Sequence, residues 1–180
     1  MATWRSPVPE GLLPPERVTL RTLLTHTAGL ESDSLVSRTA FTGEHTPELL
    51  LGLVSRSQVK DTKFDYDNYG YVVAGLVLER VTGRKWQDLL DEHIFTPAGM
   101  TKTTAYMSET AGWPVAIPYS SMPDGLLRRN MMKTDATMHA AGGLVTTPVD
   151  LLRWVELNAT RGKIGGRQIL PRAAFEIAHK

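Results

Sequence analysis

Residues 64–83 read FDYDNYGYVVAGLVLERVTG, from Phe64 to Gly83, and the reading of this stretch decides how the rest of the chain is arranged. It opens with a polar triplet, Tyr66, Asp67 and Asn68, and then runs from Tyr71 to Leu78 without a charge until Glu79 and Arg80. A run apolar on every side predicts a helix buried on every side. Gly83 after Thr82 supplies a left-handed stop, and Asp67 is placed to cap a helix beginning near Asn68. A tyrosine and an amide thus stand at the N-terminal end of a buried helix, where free N–H groups and positive potential favour chemistry.

Working outward toward the N-terminus, Thr46 and Pro47 are a cap and a first-turn proline for a helix through Leu49, Leu50, Leu53 and Val54. The polar stretch from Glu31 to Glu44 reads as surface loop. Thr19 caps a short helix on which Leu20, Leu23 and Leu24 share a face, with Gly29 as its stop after His26 and Thr27. A histidine in such a turn bonds backbone in preference to acting as a base. Pro7, Pro9, Pro14 and Pro15 make residues 1–17 an extended lead-in.

Toward the C-terminus, Trp86, Leu89, Leu90, His93 and Ile94 recur at helical spacing opposite Gln87, Asp88, Asp91 and Glu92, which predicts a core face with His93 packed on it. Residues 101–138 dissolve into Gly112, Pro114, Pro118, Pro123 and Gly125, with Thr103 to Met107 as a short strand. An irregular excursion of that length is expected to border a site. Trp113, Tyr119 and Met122 either line a pocket there or pin the loop to the core, and pinning is the preferred reading. Ala141, Gly142 and Gly143 offer a backbone that other groups can approach. Thr147, Pro148 and Asp150 form a cap, a first-turn proline and a reciprocal acid, opening a helix whose Leu151, Leu152 and Val155 are expected inward, flanked by Trp154. RGKIGG from Arg161 is a turn, and Pro171 opens a last helix through Phe175 and Ile177.

The 180 residues suit one domain, and 20 basic against 19 acidic residues give a net charge of +1, so no basic face argues for nucleic acid. There is no cysteine, which excludes disulfides and thiolate metal sites. His26, His45, His93, His139 and His179 show no metal-ligand spacing, so no metal and no cofactor are expected. The longest uncharged apolar run is too short to cross a bilayer. Localisation stays open.

Four blocks, VTLRTLLTHTAGL at 18–30, FDYDNYGYVVAGLVLERVTG, HIFTPAGMTKT at 93–103 and AGGLVTTPVDLLRW at 141–154, resemble in order the serine beta-lactamase and penicillin-binding family, in the class C-like branch that also holds esterases and D-aminopeptidases. The resemblance implies the helical lobe of an α/β beta-lactamase and DD-peptidase-like fold. Residues 1–180 would then be a single partial domain, mainly α, with most of the antiparallel sheet missing. It implies three motifs, a Ser-x-x-Lys nucleophile, a Tyr-x-Asn and a Lys-Thr-Gly or His-x-Gly strand. Only the second is recognisable, and the chain reads as an internal fragment or a degenerate relative.

By that resemblance Tyr66 shares the duty of general base with a lysine, and Asn68 binds the acyl-side amide of the substrate. A phenol with an ordinary pKa of about 10 needs a nearby cation to work near neutrality. Asp67 stands where the family often has a small residue, and Lys60 with Asp61 replaces the family's Pro-Gly. Ser57 to Lys60 spell Ser-x-x-Lys but sit in the wrong place, while Lys133, Thr134 and Asp135 lack the glycine of Lys-Thr-Gly. The expected partner is a small amide, ester or beta-lactam substrate for the complete form, with the isolated chain inactive and self-associating through uncovered apolar surface. The competing reading is a non-catalytic binding or assembly module on the same fold.

Overall fold

The computed structural model describes residues 17–30, 39–43, 45–56, 59–60 and 63–179. Nearly all of the expected lead-in, most of the loop read over 31–44, and Ser57 and Asp61 therefore lie outside the described residues. Helix α1 spans Leu20–Leu24, capped by Thr19, whose hydroxyl accepts from the Thr22 N–H. It ends at Thr25, ahead of the expected stop, and His26 itself takes a left-handed conformation with φ of 57°. Helix α2, Pro47–Val54, has the Thr46 cap and first-turn proline that its sequence predicts.

Helix α3, Asn68–Thr82, is the centre of the larger core. The Asp67 carboxylate accepts from the Tyr69 and Gly70 N–H groups, and Gly83 closes the helix at φ of 69°. Leu23, Leu30, Leu50, Val54, Tyr69 and Val73 are buried together with it. Each such side chain withdrawn from water contributes roughly 1.5–3 kcal/mol. Two notches set the packing distance: a Cβ on Gly70 would stand 2.6 Å from the Leu23 carbonyl oxygen, and one on Gly75 would stand 2.8 Å from the Ala140 Cβ. The helix is not buried all round, as its apolar run predicts. Tyr71, Leu78 and Val81 fall along one side and face solvent, because the described core contacts only the other.

Helix α4, Trp86–Leu90, continues into a π-helical turn, Asp91–Phe95, and a short α5, Thr96–Ala98. The wider turn shifts the expected stripe. Phe95 enters the second core with Ala98, Met100, Leu157 and Phe175, whereas His93 lies in solvent 3.8 Å from Glu92. Gln87, expected on the polar side, is buried.

Within 101–138 the structure has more order than its sequence predicts. Thr104 and Val145 form an isolated antiparallel bridge instead of a strand over 103–107. Beyond it come a 3-10 turn at Met107–Thr110, a hairpin of β1, Tyr119–Ser121, with β2, Leu127–Arg129, and a second 3-10 turn at Asp135–Thr137. Helix α6, Pro148–Ala159, starts at the Thr147 cap, but the Asp150 carboxylate does not return to the cap backbone. It accepts from the Lys102 N–H at 2.7 Å and the Thr103 hydroxyl at 2.9 Å. That clasp fixes the rotation of α6: Asp150 and Leu157, two turns apart, face inward, and Leu151, Leu152 and Val155, expected inside, face solvent. A second hairpin, β3 at Lys163–Ile164 with β4 at Arg167–Gln168, contains the expected turn. Helix α7, Arg172–Ala178, buries Phe175 and leaves Ile177 outside, with Pro171 as its cap and not its first residue.

Candidate active site

The described residues before α3 are tied by backbone bonds to the turn after α1. Leu30 bridges Val59, the Lys60 N–H donates to the Gly29 carbonyl at 2.7 Å, and the Asp65 N–H donates to the His26 carbonyl at 2.9 Å. His26 Nδ1 lies 3.0 Å from the Asp67 nitrogen and 3.1 Å from the Asp67 carbonyl oxygen, so the ring is held on the Asp67 backbone. The same ring carries aromatic neighbours. Tyr66 lies over it at 4.5 Å between centroids, Tyr71 at 5.4 Å and Phe64 edge-on at 5.8 Å. His26 is thus structural, as a histidine in that turn is expected to be, and it is also the platform for the Tyr66 ring.

Tyr66 is 63% exposed, and its hydroxyl donates to Asn68 Oδ1 at 3.3 Å. With Oδ1 so engaged, the two Nδ2 hydrogens of Asn68 are left to donate to another acceptor. Asn68 stands on the first turn of α3, whose next free N–H groups are taken by Asp67. The sequence-predicted pair is therefore brought together. Among the described residues, however, no lysine ammonium is hydrogen-bonded to the Tyr66 hydroxyl.

Asn68 lines a cavity of about 130 Å³ together with Tyr69, Lys133, His139, Ala141 and Gly142. Burial pushes the Tyr69 phenol above its ordinary value and holds Lys133 below the usual lysine value. The Lys133 ammonium donates to the Thr137 carbonyl at 3.2 Å and sits 5.2 Å from the Phe41 ring centre. Burial, above all, also holds His139 below the ordinary imidazole value. Lys133 and His139 were missed as neighbours of Asn68 because each is more than sixty positions away. The one available signal was the small-residue run at 140–143, next to His139, which marks a close approach of backbone.

The resemblance of Lys133 to Asp135 to a Lys-Thr-Gly strand dissolves in the structure. These residues enter a 3-10 turn, and the Asp135 carboxylate accepts from the Ser108 hydroxyl at 2.6 Å and the Ser108 N–H at 2.9 Å, which holds it below the usual carboxylate range. Trp113, Tyr119 and Met122 do not line the cavity beside Asn68. Trp113 instead receives the Lys102 ammonium over its ring at 4.7 Å. Among the described residues no group of three His, Cys, Asp or Glu is placed to hold a metal ion, and no helix is long and apolar enough to cross a membrane.

The family model described as Beta-lactamase matches residues 4–178. Penicillin-binding protein 4 of Amycolatopsis lactamdurans is 26% identical over 170 residues, covering 89% of this chain and 43% of its own length. Among solved structures, the octameric penicillin-binding protein homologue from Pyrococcus abyssi superposes with a TM-score of 0.72 at 24% identity, over 92% of this chain and 39% of that one. The D-amino acid amidase from Ochrobactrum anthropi, complexed with L-phenylalanine amide, gives a TM-score of 0.67 at 26% identity, over 87% of this chain and 45% of that one. The chain spans less than half the length of the curated relatives it matches.

Proposed function

The chain belongs to the Beta-lactamase family, and from that premise we propose that it carries the helical, Tyr66- and Asn68-bearing part of a serine hydrolase that cleaves an amide or ester through an acyl-serine intermediate. Residues 1–180 are then one partial domain, with the nucleophile and most of the antiparallel sheet supplied by the rest of a complete form. The observation that carries this reading is the Tyr66–Asn68 hydrogen bond at the start of α3, beside a cavity into which Asn68 opens. In the complete enzyme the Tyr66 oxygen, as phenolate, takes the proton of the serine hydroxyl. The serine oxygen attacks the substrate carbonyl, and the proton passes on to the departing amine or alcohol. Asn68 Nδ2 donates to the acyl-side amide and fixes the carbonyl for attack. Water then releases the acyl group. Amide, ester and beta-lactam substrates all fit this scheme, since the walls of the site choose among them.

The phenolate needs a cation, and the solvent-exposed Tyr66 has no lysine bonded to it among the described residues. The isolated chain is accordingly expected to be inactive. Incubation with a fluorescent penicillin and with a fluorophosphonate should leave its intact mass unchanged. An adduct on any serine, Ser57 included, overturns the proposal that the nucleophile lies elsewhere. The competing reading, a non-catalytic module, draws on the same tyrosine, to which no lysine is bonded among the described residues. A longer form carrying the flanking coding sequence separates the two. Under the hydrolase reading it is acylated, and Tyr66→Phe slows acylation by roughly 10²–10⁴-fold; a longer form that never acylates supports the module.

A further inference from the structure

Resting on the hydrolase reading, we propose that the cavity beside Asn68 takes a short carboxylate-ended group on the acyl part of the substrate, and that Lys133 selects it. This narrows the substrate from amides and esters at large to acyl groups of the succinyl kind. Asn68 is the residue that holds the acyl side, so a group reaching the cavity it borders belongs to the acyl part and not to the leaving group.

The cavity has a floor and a mouth. Thr39, Tyr69 and Val72 on its border are buried, and Gly142 is the one exposed residue there, which places the opening beside it. A Cβ on Gly142 would meet nothing within 4 Å, and its φ is not left-handed, so neither packing nor backbone calls for glycine at that position. Gly143 is the contrast, since a Cβ on it would stand 2.6 Å from the His139 carbonyl oxygen. The bare position at 142 keeps the mouth clear. At about 130 Å³ the space takes roughly four heavy atoms if each occupies about the share of a liquid water, which is the size of a carboxymethyl group.

The charge on the border is of one sign. Burial first, and the Lys133 charge in addition, hold His139 neutral at pH 7.5, so Lys133 is the one charged group that borders the cavity. Of its three donors, one goes to the Thr137 carbonyl at 3.2 Å, and the Phe41 ring lies 5.2 Å away. Among the described residues no carboxylate pairs with it, and burial lowers its hold on the proton with no acid restoring it. Asp67, next to Asn68, is engaged by the Tyr69 and Gly70 N–H groups, and Asp135 by Ser108. A half-buried cation without a counter-charge is costly, and a carboxylate entering the cavity supplies one. A neutral amide gains no such charge-assisted bond, and an ammonium is repelled.

Acetate and its neutral isostere acetamide are the probes, titrated against the full chain at pH 7.5 and about 0.15 M salt and followed by amide NMR. Acetate should shift the Asn68 side-chain and Gly142 N–H signals and bind at least about tenfold more tightly than acetamide. Lys133→Met should bring the two affinities together, and Lys133→Arg should keep the preference. Equal affinities in the wild type, shifts at neither position, or a preference that survives in Lys133→Met overturn the proposal. If circular dichroism shows Lys133→Met to be unfolded, Gly142→Leu decides: a side chain at the mouth should weaken acetate by at least about tenfold, and acetate bound as by wild type overturns it. A longer form carrying the flanking coding sequence separates this from the hydrolase reading. Its kcat/KM for a nitrophenyl hemisuccinate should exceed that for the matching neutral succinamate ester by at least about tenfold. A longer form that is acylated by both alike overturns the carboxylate pocket and leaves the hydrolase reading standing. One that never acylates overturns the hydrolase reading, and with it the assignment to an acyl group, whatever acetate does.

Discussion

Helices α3 and α6 begin alike and meet opposite surroundings. Each starts from a side-chain cap, Asp67 or Thr147, and each carries a run of apolar residues. Yet Val72, Val73 and Val77 of α3 are buried, while Val149, Leu151, Leu152 and Val155 of α6 face solvent. The cap fixes where a helix starts. Which face turns inward is decided by what the rest of the chain presses against it. On α3 that is α1 and Ala140, seated on Gly70 and Gly75. On α6 it is the clasp of Asp150 on Lys102 and Thr103, which turns a carboxylate inward and an apolar stripe outward.

The comparison is broken most severely at the one large apolar side chain that α6 does bury. Leu157 is 0% exposed, and Leu157→Ala should cost about 2–5 kcal/mol, measured by urea unfolding. A loss under about 0.5 kcal/mol, the size expected of a surface position, would mean that α6 is not seated as described. Asp67→Ala removes the cap of α3 and leaves the Tyr69 and Gly70 N–H groups without their acceptor. It should cost about 1–2 kcal/mol, and Asp67→Asn should recover most of the loss, which a purely electrostatic role would not allow. The smallest effect on stability is expected where the two helices differ most. Leu152→Gln with Val155→Gln should change unfolding free energy by less than about 1 kcal/mol, the sum of two surface substitutions. The same pair should move the mass in light scattering from an associated form to a monomer, since contiguous exposed apolar surface favours association. A wild-type chain that is already monomeric would refute the expected self-association.

The legible parts of the fold were the ones written locally. Thr19, Thr46, Asp67 and Thr147 were readable as caps, and Gly83 as a stop, because each acts on backbone within three or four residues of itself. Tyr66 and Asn68 share that property, and their hydrogen bond spans two residues. What was not legible depends on distant partners. Thr147, Pro148 and Asp150 spell a capping box, but two donors some fifty residues upstream outbid the cap backbone for the carboxylate. His93 repeats at helical spacing, and only the π turn, which adds a residue to the local period, moves Phe95 into its place. The hairpin over 119–129 has no alternating pattern, and all but two residues of its strands and the turn between them face solvent. Lys133 and His139 reach the surroundings of Asn68 through a return of the chain whose one local signal is the small-residue run at 140–143.

That return is anchored in a way that bears on how this family can diversify. Thr104 and Val145 exchange N–H to carbonyl bonds at 2.9 Å in both directions, Thr103 and Thr146 join hydroxyls at 2.7 Å, and the Asp150 carboxylate holds the Lys102–Thr103 end. The excursion is therefore a handle riveted at its base. Lengthening a loop whose ends are already pinned is cheap, about 0.6 kcal/mol for each doubling. Segments of quite different length and sequence can be exchanged between the rivets while the helices beneath keep their register. The segment between the rivets can change in length while Tyr66 and Asn68, which lie outside it, keep their hydrogen bond at the start of α3.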